Sequence, residues 1–190
     1  MNALKPFDPQ PGVLDRVLCL GVKKTYPRGR LFLDGHTSSN LLLFVQKGAM
    51  RNFFCLEGLE LTYWISIEGE FSCPINFFTR TSGETFLEAL EPLEVIEVKR
   101  DQLLLAYQHD QTLEHFGRLL AEHQLGILER NYLIISEKSA WERYQLFLKW
   151  YPQLDGRVPL KYVASLLRLD QATLSRVRGK NGSHQNKMTF

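Results

Sequence analysis

The 190-residue chain has no apolar run near the roughly 18 residues that span a bilayer, and residues 1–12 lack the charged-then-apolar layout of a signal peptide. A cytoplasmic location is the expectation. Cysteine is scarce. Cys19, Cys55 and Cys73 are odd in number, far apart and never in a C-x-x-C pair, which argues against a disulfide framework and supplies no zinc or iron–sulfur ligand set. They read as reduced, partly buried small hydrophobes. Internal repeats and low-complexity segments are missing, and so is any catalytic constellation. His115 and His123 are eight apart, too distant to share a metal through i, i+4 geometry, and no Gly-x-Ser-x-Gly elbow surrounds Ser82. The chain is therefore read as a non-enzyme with no metal and no cofactor.

What is present is core-forming material and a hidden charge asymmetry. Hydrophobic residues make up 44% of the chain and charged residues 23%, the balance of an ordinary globular protein. The net charge of +2 conceals a C-terminal segment, residues 157–190, with seven Lys/Arg against the single acid Asp170, while the remainder carries −4. A basic end on an acidic body is the footprint expected of a nucleic-acid-binding module, and equally of a solvated basic tail; charge alone does not separate the two.

Three of the eight prolines fall in Met1–Gly12, read as a poorly ordered lead-in before a short helix near Val13–Leu20. Short β-rich runs follow at 41–45, 50–54, 61–67 and 95–98, broken by Lys47-Gly48, Glu57-Gly58 and Glu68-Gly69. Such spacing predicts an antiparallel sandwich or barrel. A short helix is expected over Gln102–Gln108. Asp110 then caps a long helix to about Ser136, whose apolar Leu113, Phe116, Leu120, Ile127 and Ile134 form a near-heptad seam. The seam is read as the contact with a second copy of the chain, with burial against the chain's own body as the competing covering. Ser139-Ala-Trp-Glu142 is a capping box opening a helix with Tyr144, Phe147, Leu148 and Tyr151 on one face, ending at Pro152.

The most specific signal runs from Pro159 to Arg178. Pro159 suits a first helical turn, Val163, Leu166 and Leu167 give an apolar face, and small Ala164 admits a close crossing. Asp170 caps a second helix whose Leu174 and Val177 point back at the first. Gln171, Thr173, Ser175, Arg176 and Arg178 are expected to point outward. Gln pairs bidentately with adenine and Arg with guanine, so this face suits the major groove.

On these residues the chain resembles the Crp/Fnr family of transcription regulators. Tyr26-Pro-Arg-Gly29 through Gly35 is similar to the segment leading into that family's β-roll, Leu43-Phe-Val-Gln-Lys-Gly48 to its strand, turn and strand, and Ser139–Tyr144 with Val158–Arg176 to its DNA-binding half. The resemblance implies an α+β fold: an N-terminal antiparallel β-roll (a double-stranded β-helix of cyclic-nucleotide-binding type, 1–109), a long dimerisation helix (110–136), a helical helix-turn-helix domain (137–180) and a disordered tail (181–190). It also implies DNA contacts by Gln171, Thr173, Ser175 and Arg176. Lys161, Arg178 and Lys180 are expected to meet phosphates. The partners read from this are double-stranded DNA and a second copy of the chain, with an unidentified small-molecule effector and no membrane.

Three features depart from the family pattern. Arg168 stands in the inter-helix turn where glycine is usual, a substitution costing roughly 1 kcal/mol if the residue is left-handed. The chain continues only briefly past the second helix, so no β-hairpin wing is expected. In the segment that would hold a cyclic nucleotide, Pro74 falls where a glutamate belongs and Gly83-Glu84 where an Arg-Ser pair belongs. Phe71, Cys73, Ile75, Arg80, Glu84 and Phe86 are the candidate pocket residues, with Phe77 and Phe78 adding to a site either filled by side chains or suited to an apolar effector, and not to cyclic AMP. The competing reading is an effector-binding β-roll that acts through protein contacts without sequence-specific DNA binding.

Overall fold

A computed structural model describes residues 12–34, 40–79 and 85–185. Nearly all of the Met1–Gly12 lead-in lies outside them. After α1 (Val13–Cys19) come eight strands: β1 (Val22–Tyr26), β2 (Leu31–Asp34), β3 (Leu41–Lys47), β4 (Met50–Leu56), β5 (Leu59–Ser66), β6 (Phe71–Ser72), β7 (Thr85–Ala89) and β8 (Leu93–Lys99). Five helices follow: α2 (Arg100–His109), α3 (Gln111–Ser136), α4 (Ala140–Trp150), α5 (Leu160–Leu166) and α6 (Gln171–Gln185).

The strands form two antiparallel sheets, ordered β1-β8-β3-β6 and β2-β7-β4-β5. Leu43, Val45, Met50, Leu87, Leu93 and Val95 fill the space between them, the alternating burial that a half-solvated antiparallel sheet requires. The fold is α+β, with the sheets N-terminal and the helices following. Strand β5 lies at a sheet edge and, among the described residues, is paired only with β4. A bulge between them sets Asn52 opposite Trp64 and Phe53 opposite Thr62, leaving Tyr63 as the extra residue.

Asp110 caps α3 by accepting from the amides of Thr112 and Leu113, at 2.9 and 3.4 Å. Gly117 lets α2 lie close against it, since a Cβ there would sit 2.2 Å from the Tyr107 hydroxyl. The seam of Leu113, Phe116, Leu120, Ile127 and Ile134 is at most 7% exposed and packs within this chain. Of the two coverings that the sequence allowed, the chain's own body is the one realised. A second apolar row, Ala121, Leu125, Leu128, Tyr132 and Ile135, repeats at gaps of four and three on another face, and Leu125 and Tyr132 stand 67% and 68% exposed.

Two further expectations are corrected. Cys19 is exposed, Cys55 half-buried and Cys73 buried, because α1 turns Cys19 away from the contact made by Val13 and Val17. Helix α6 runs to Gln185, five residues into the stretch expected as tail, since each added residue gains a backbone hydrogen bond and no proline interrupts it. Residues 186–190, with Lys187, lie outside the described residues.

Beside the edge strand, Glu70 accepts from the Ile67 amide, and burial pushes its carboxyl up to about 7 despite Arg130 and Arg157, with Glu68 adding repulsion. A carboxyl raised in the folded state stabilises fully below its ordinary 4.5 and loses that contribution as pH rises through about 7. Neighbouring Glu68 behaves oppositely: hydrogen bonds from Arg157 hold it near 2, so its contribution is lost only in acid. Glu70→Gln is therefore expected to remove a loss of at most about 3 kcal/mol between mildly acidic and alkaline pH. Urea unfolding at about pH 5 and about pH 8 checks this; a variant that loses as much stability as wild type over the interval overturns it.

Candidate nucleic-acid interface

Helices α5 and α6 form a tight pair. Val163, Ala164, Leu166 and Leu167 meet Leu174 and Val177 in one core that also takes Tyr144 and Phe147 from α4. The turn between α5 and α6 closes as a Schellman motif: the Leu169 amide donates to the Ala164 carbonyl at 2.9 Å and the Arg168 amide to the Ser165 carbonyl at 3.2 Å. Arg168 is left-handed at φ 55°, the conformation that glycine would adopt without penalty. Arg143 of α4 supplies a donor to the last carbonyls, Leu167 O and Arg168 O, at 3.3 Å each.

Asp170 caps α6 through the Thr173 amide at 2.8 Å and the Thr173 hydroxyl at 2.6 Å, and these donors hold its carboxyl below the usual range. On the helix beyond it, Gln171, Ser175 and Arg176 are exposed. Thr173 is half-buried and also receives Arg176 Nη2 at 2.9 Å. Lys161 on α5 is exposed, its ammonium 4.6 Å from the Tyr162 ring centre. Arg178, expected to face outward, is half-buried and paired with Asp155 at 3.4 Å. Lys180 falls within α6, but its side chain lies outside the described residues.

The basic end is thus partly neutralised inside the chain. Arg157 bonds Glu68 at 2.7 and 2.8 Å and Glu91 at 2.9 and 3.0 Å, reaching from the loop before α5 to two turns of the sheets. Arg168 donates to the Thr62 and Ser165 carbonyls at 2.9 and 2.7 Å. Sequence reasoning counted Arg157, Arg168 and Arg178 as nucleic-acid charge. Apart from the Ser165 carbonyl, their partners lie tens of residues away, and only the surplus of acids in the body hints at the acidic ones. Arg51, 3% exposed and also missed, bonds Glu88 at 2.6 Å, pairs with Glu60, and lies 4.0 Å from both the Phe53 and Tyr162 ring centres.

The pocket candidates divide. Cys73 and Ile75 line a cavity of about 200 Å³ against α3, together with Tyr63, Trp64, Phe78 and Leu128. Phe71 does not line it: it packs against Phe44 and Phe116 in the core. Phe86 stacks on Phe53 at 5.2 Å. Arg80 and Glu84 lie outside the described residues. The segment is therefore not wholly filled, and no charged side chain lines the cavity among the described residues. Gln124 of α3 also lines it, with its amide donating to the Phe71 carbonyl at 3.3 Å and its buried Oε1 without a hydrogen-bond partner among the described residues.

No family model and no curated protein matches the sequence. Solved structures do match. FixK2 from Bradyrhizobium japonicum superposes with a TM-score of 0.72 at 20% identity, covering 87% of this chain and 86% of that one. The c-di-GMP responsive global regulator CLP from Xanthomonas campestris gives 0.68 at 19% identity, covering 93% of each chain. A protein from Eubacterium rectale described as a transcriptional regulator of the Crp/Fnr family gives 0.66 at 14%, covering 90% and 82%. Sheets, long helix and C-terminal helix pair together make up the fold of the Crp/Fnr transcription regulators, and this chain has that fold.

Proposed function

We propose that the chain is a transcription regulator that binds duplex DNA as a two-fold dimer, with α6 as the reading helix. The observation that carries this is the exposed, wholly polar face of Gln171, Ser175 and Arg176 on a capped helix crossed by α5. A helix presented this way fits the major groove; in this reading Gln171, Thr173, Ser175 and Arg176 contact the bases and their surroundings, and Lys161, Arg178 and Lys180 meet phosphates. Regulators of this fold bind DNA, and the names of the similar structures are those of regulators. The described residues include no helix long and apolar enough to cross a membrane.

The dimer is assigned to the second apolar row of α3. Leu125 and Tyr132 are too exposed, and too regularly spaced, for a helix that ends its contacts at its own body. The effector reading follows the cavity. A cyclic phosphate is an anion, and burying it without compensating charge costs several kcal/mol, so the uncharged lining favours an apolar ligand. The alternative, action through protein contacts alone, gains from the internal pairing of Arg157 and Arg178, which lowers the charge left for phosphates.

Selection of bound duplexes from a random pool is expected to yield a palindrome whose half-sites are about 34 Å apart; no enrichment overturns the DNA-binding reading. Arg176→Ala should weaken binding by about 1–3 kcal/mol and relax preference at one base pair, whereas Lys180→Ala should weaken all duplexes alike and lower the salt slope by about 1. Equal effects of both on specific and random DNA contradict those roles. Sedimentation should show wild type as a dimer and Leu125→Glu as a folded monomer; a dimeric variant moves the interface elsewhere. Calorimetric titration with cyclic AMP is expected to give no binding heat in the micromolar range, and heat abolished by Arg80→Ala would establish a phosphate site instead.

A further inference from the structure

Two half-buried side chains, Ser165 of α5 and Arg168 of the turn after it, bond the backbone of β5. Ser165 Oγ donates to the Glu60 carbonyl at 2.8 Å and accepts from the Thr62 amide at 2.9 Å, and Arg168 Nη1 donates to the Thr62 carbonyl at 2.9 Å. These are peptide groups on β5 beyond those it shares with β4, its one strand neighbour among the described residues. Ser165 and Arg168 so stand in for part of the missing next strand. The same stretch of β5 also holds the long helix: the bulged Tyr63 offers its carbonyl to Asn131 Nδ2 at 2.8 Å, and Asn131 in turn accepts from Tyr151 at the end of α4. Within four residues, Glu60 to Tyr63, β5 is bonded both to α3 and to the helix pair.

Arg168 is an expensive residue for its place. Glycine would make the same left-handed turn without the steric penalty that a Cβ brings. What arginine adds there is a guanidinium that crosses to β5. The contact leaves Gln171, Ser175 and Arg176 exposed, so it aims the reading face and does not cover it.

We infer that Ser165 and Arg168 are positioning residues for DNA reading: through the edge of β5 they fix α6 relative to α3, and hence the separation of the two reading helices across the dimer axis. The inference rests on the DNA-binding reading above. In a two-fold dimer both helices must enter successive grooves about 34 Å apart, and a reading head already held at that spacing loses less freedom on binding than a hinged one. Held in this way, the second half-site is engaged at the high effective concentration that a rigid connection provides. Ser165 and Arg168 touch no base in this scheme. They act through the orientation of the helix that does.

The test uses the full-length protein and the selected palindrome, with three companion duplexes: a single half-site, a palindrome lengthened by two base pairs at its centre, and a random sequence. The double variant Ser165→Ala/Arg168→Gly removes the bonds while keeping, and easing, the left-handed turn, so the helix pair stays folded. It is expected to lose about tenfold or more in affinity for the palindrome, to change by less than about threefold on the half-site and random duplexes, and to accept the lengthened palindrome that wild type rejects. Ser165→Ala alone should speed hydrogen exchange at the Thr62 amide. A merely structural role would lower palindrome and half-site binding together, which overturns the inference. So does an unchanged ratio between them, a gain in palindrome affinity, or unaltered exchange at Thr62. Wild type that enriches no duplex defeats the DNA-binding reading itself, and is told apart from failure of the positioning role, in which wild type binds the palindrome and the double variant binds it equally well.

Discussion

The unpaired side of strand β5 is the constraint on which the arrangement of the helices depends. A sheet edge carries peptide groups that need partners when water is excluded. Here the partners come from two helices and a turn: Asn131 of α3, Ser165 of α5, and Arg168 of the turn that follows α5. Hydrophobic packing follows the same line. Ala49, Ile65 and Leu90 of the sheets share one core with Tyr144, Phe147, Val163, Leu167 and Leu174 of the helices. Charge then closes the seam, with Arg157 bridging to Glu68 and Glu91, and Arg51 held between Phe53 and Tyr162 while bonded to Glu88.

Helix α3 meets two demands with two apolar stripes. One stripe, centred on Phe116, Leu120 and Ile127, is consumed by the sheets and by α1 and α2. The other, with Leu125 and Tyr132 at its crest, is left facing outward beside the apolar cavity that Leu125 and Leu128 help to line. Whatever settles on that stripe therefore also forms a wall near the cavity, and occupancy of the cavity and packing of the stripe share the same side chains.

Local features were legible in the sequence because their physics is local. The β-rich runs, the Asp110 cap, the Ser139–Glu142 capping box and the Asp170 cap each depend on residues within a few positions of one another, and each is seen. Partner choice was not legible. The Leu113 to Ile134 seam and the Ala121 to Ile135 row both have near-heptad spacing, and spacing alone does not say which one meets the chain's own body. Charge bookkeeping failed for the same reason: Arg157 and Arg168 find their partners 66 to 106 residues away. Of the candidate reading face, Gln171, Ser175 and Arg176 emerged as read, whereas Arg178 turned to Asp155, a residue that carried no signal of its own.

The shelter given to β5 also bears on how the two halves of the chain can be separated. The hairpin joining β4 and β5 ends in Leu56 and Leu59, 58% and 62% exposed, and just beyond them the edge is covered by Ser165 and Arg168. Cutting the chain after α3 would bare a strand with leucines at its tip and unpaired peptide groups along its side, the template on which identical sheets add to one another. The helix pair in this sense guards that edge against polymerisation.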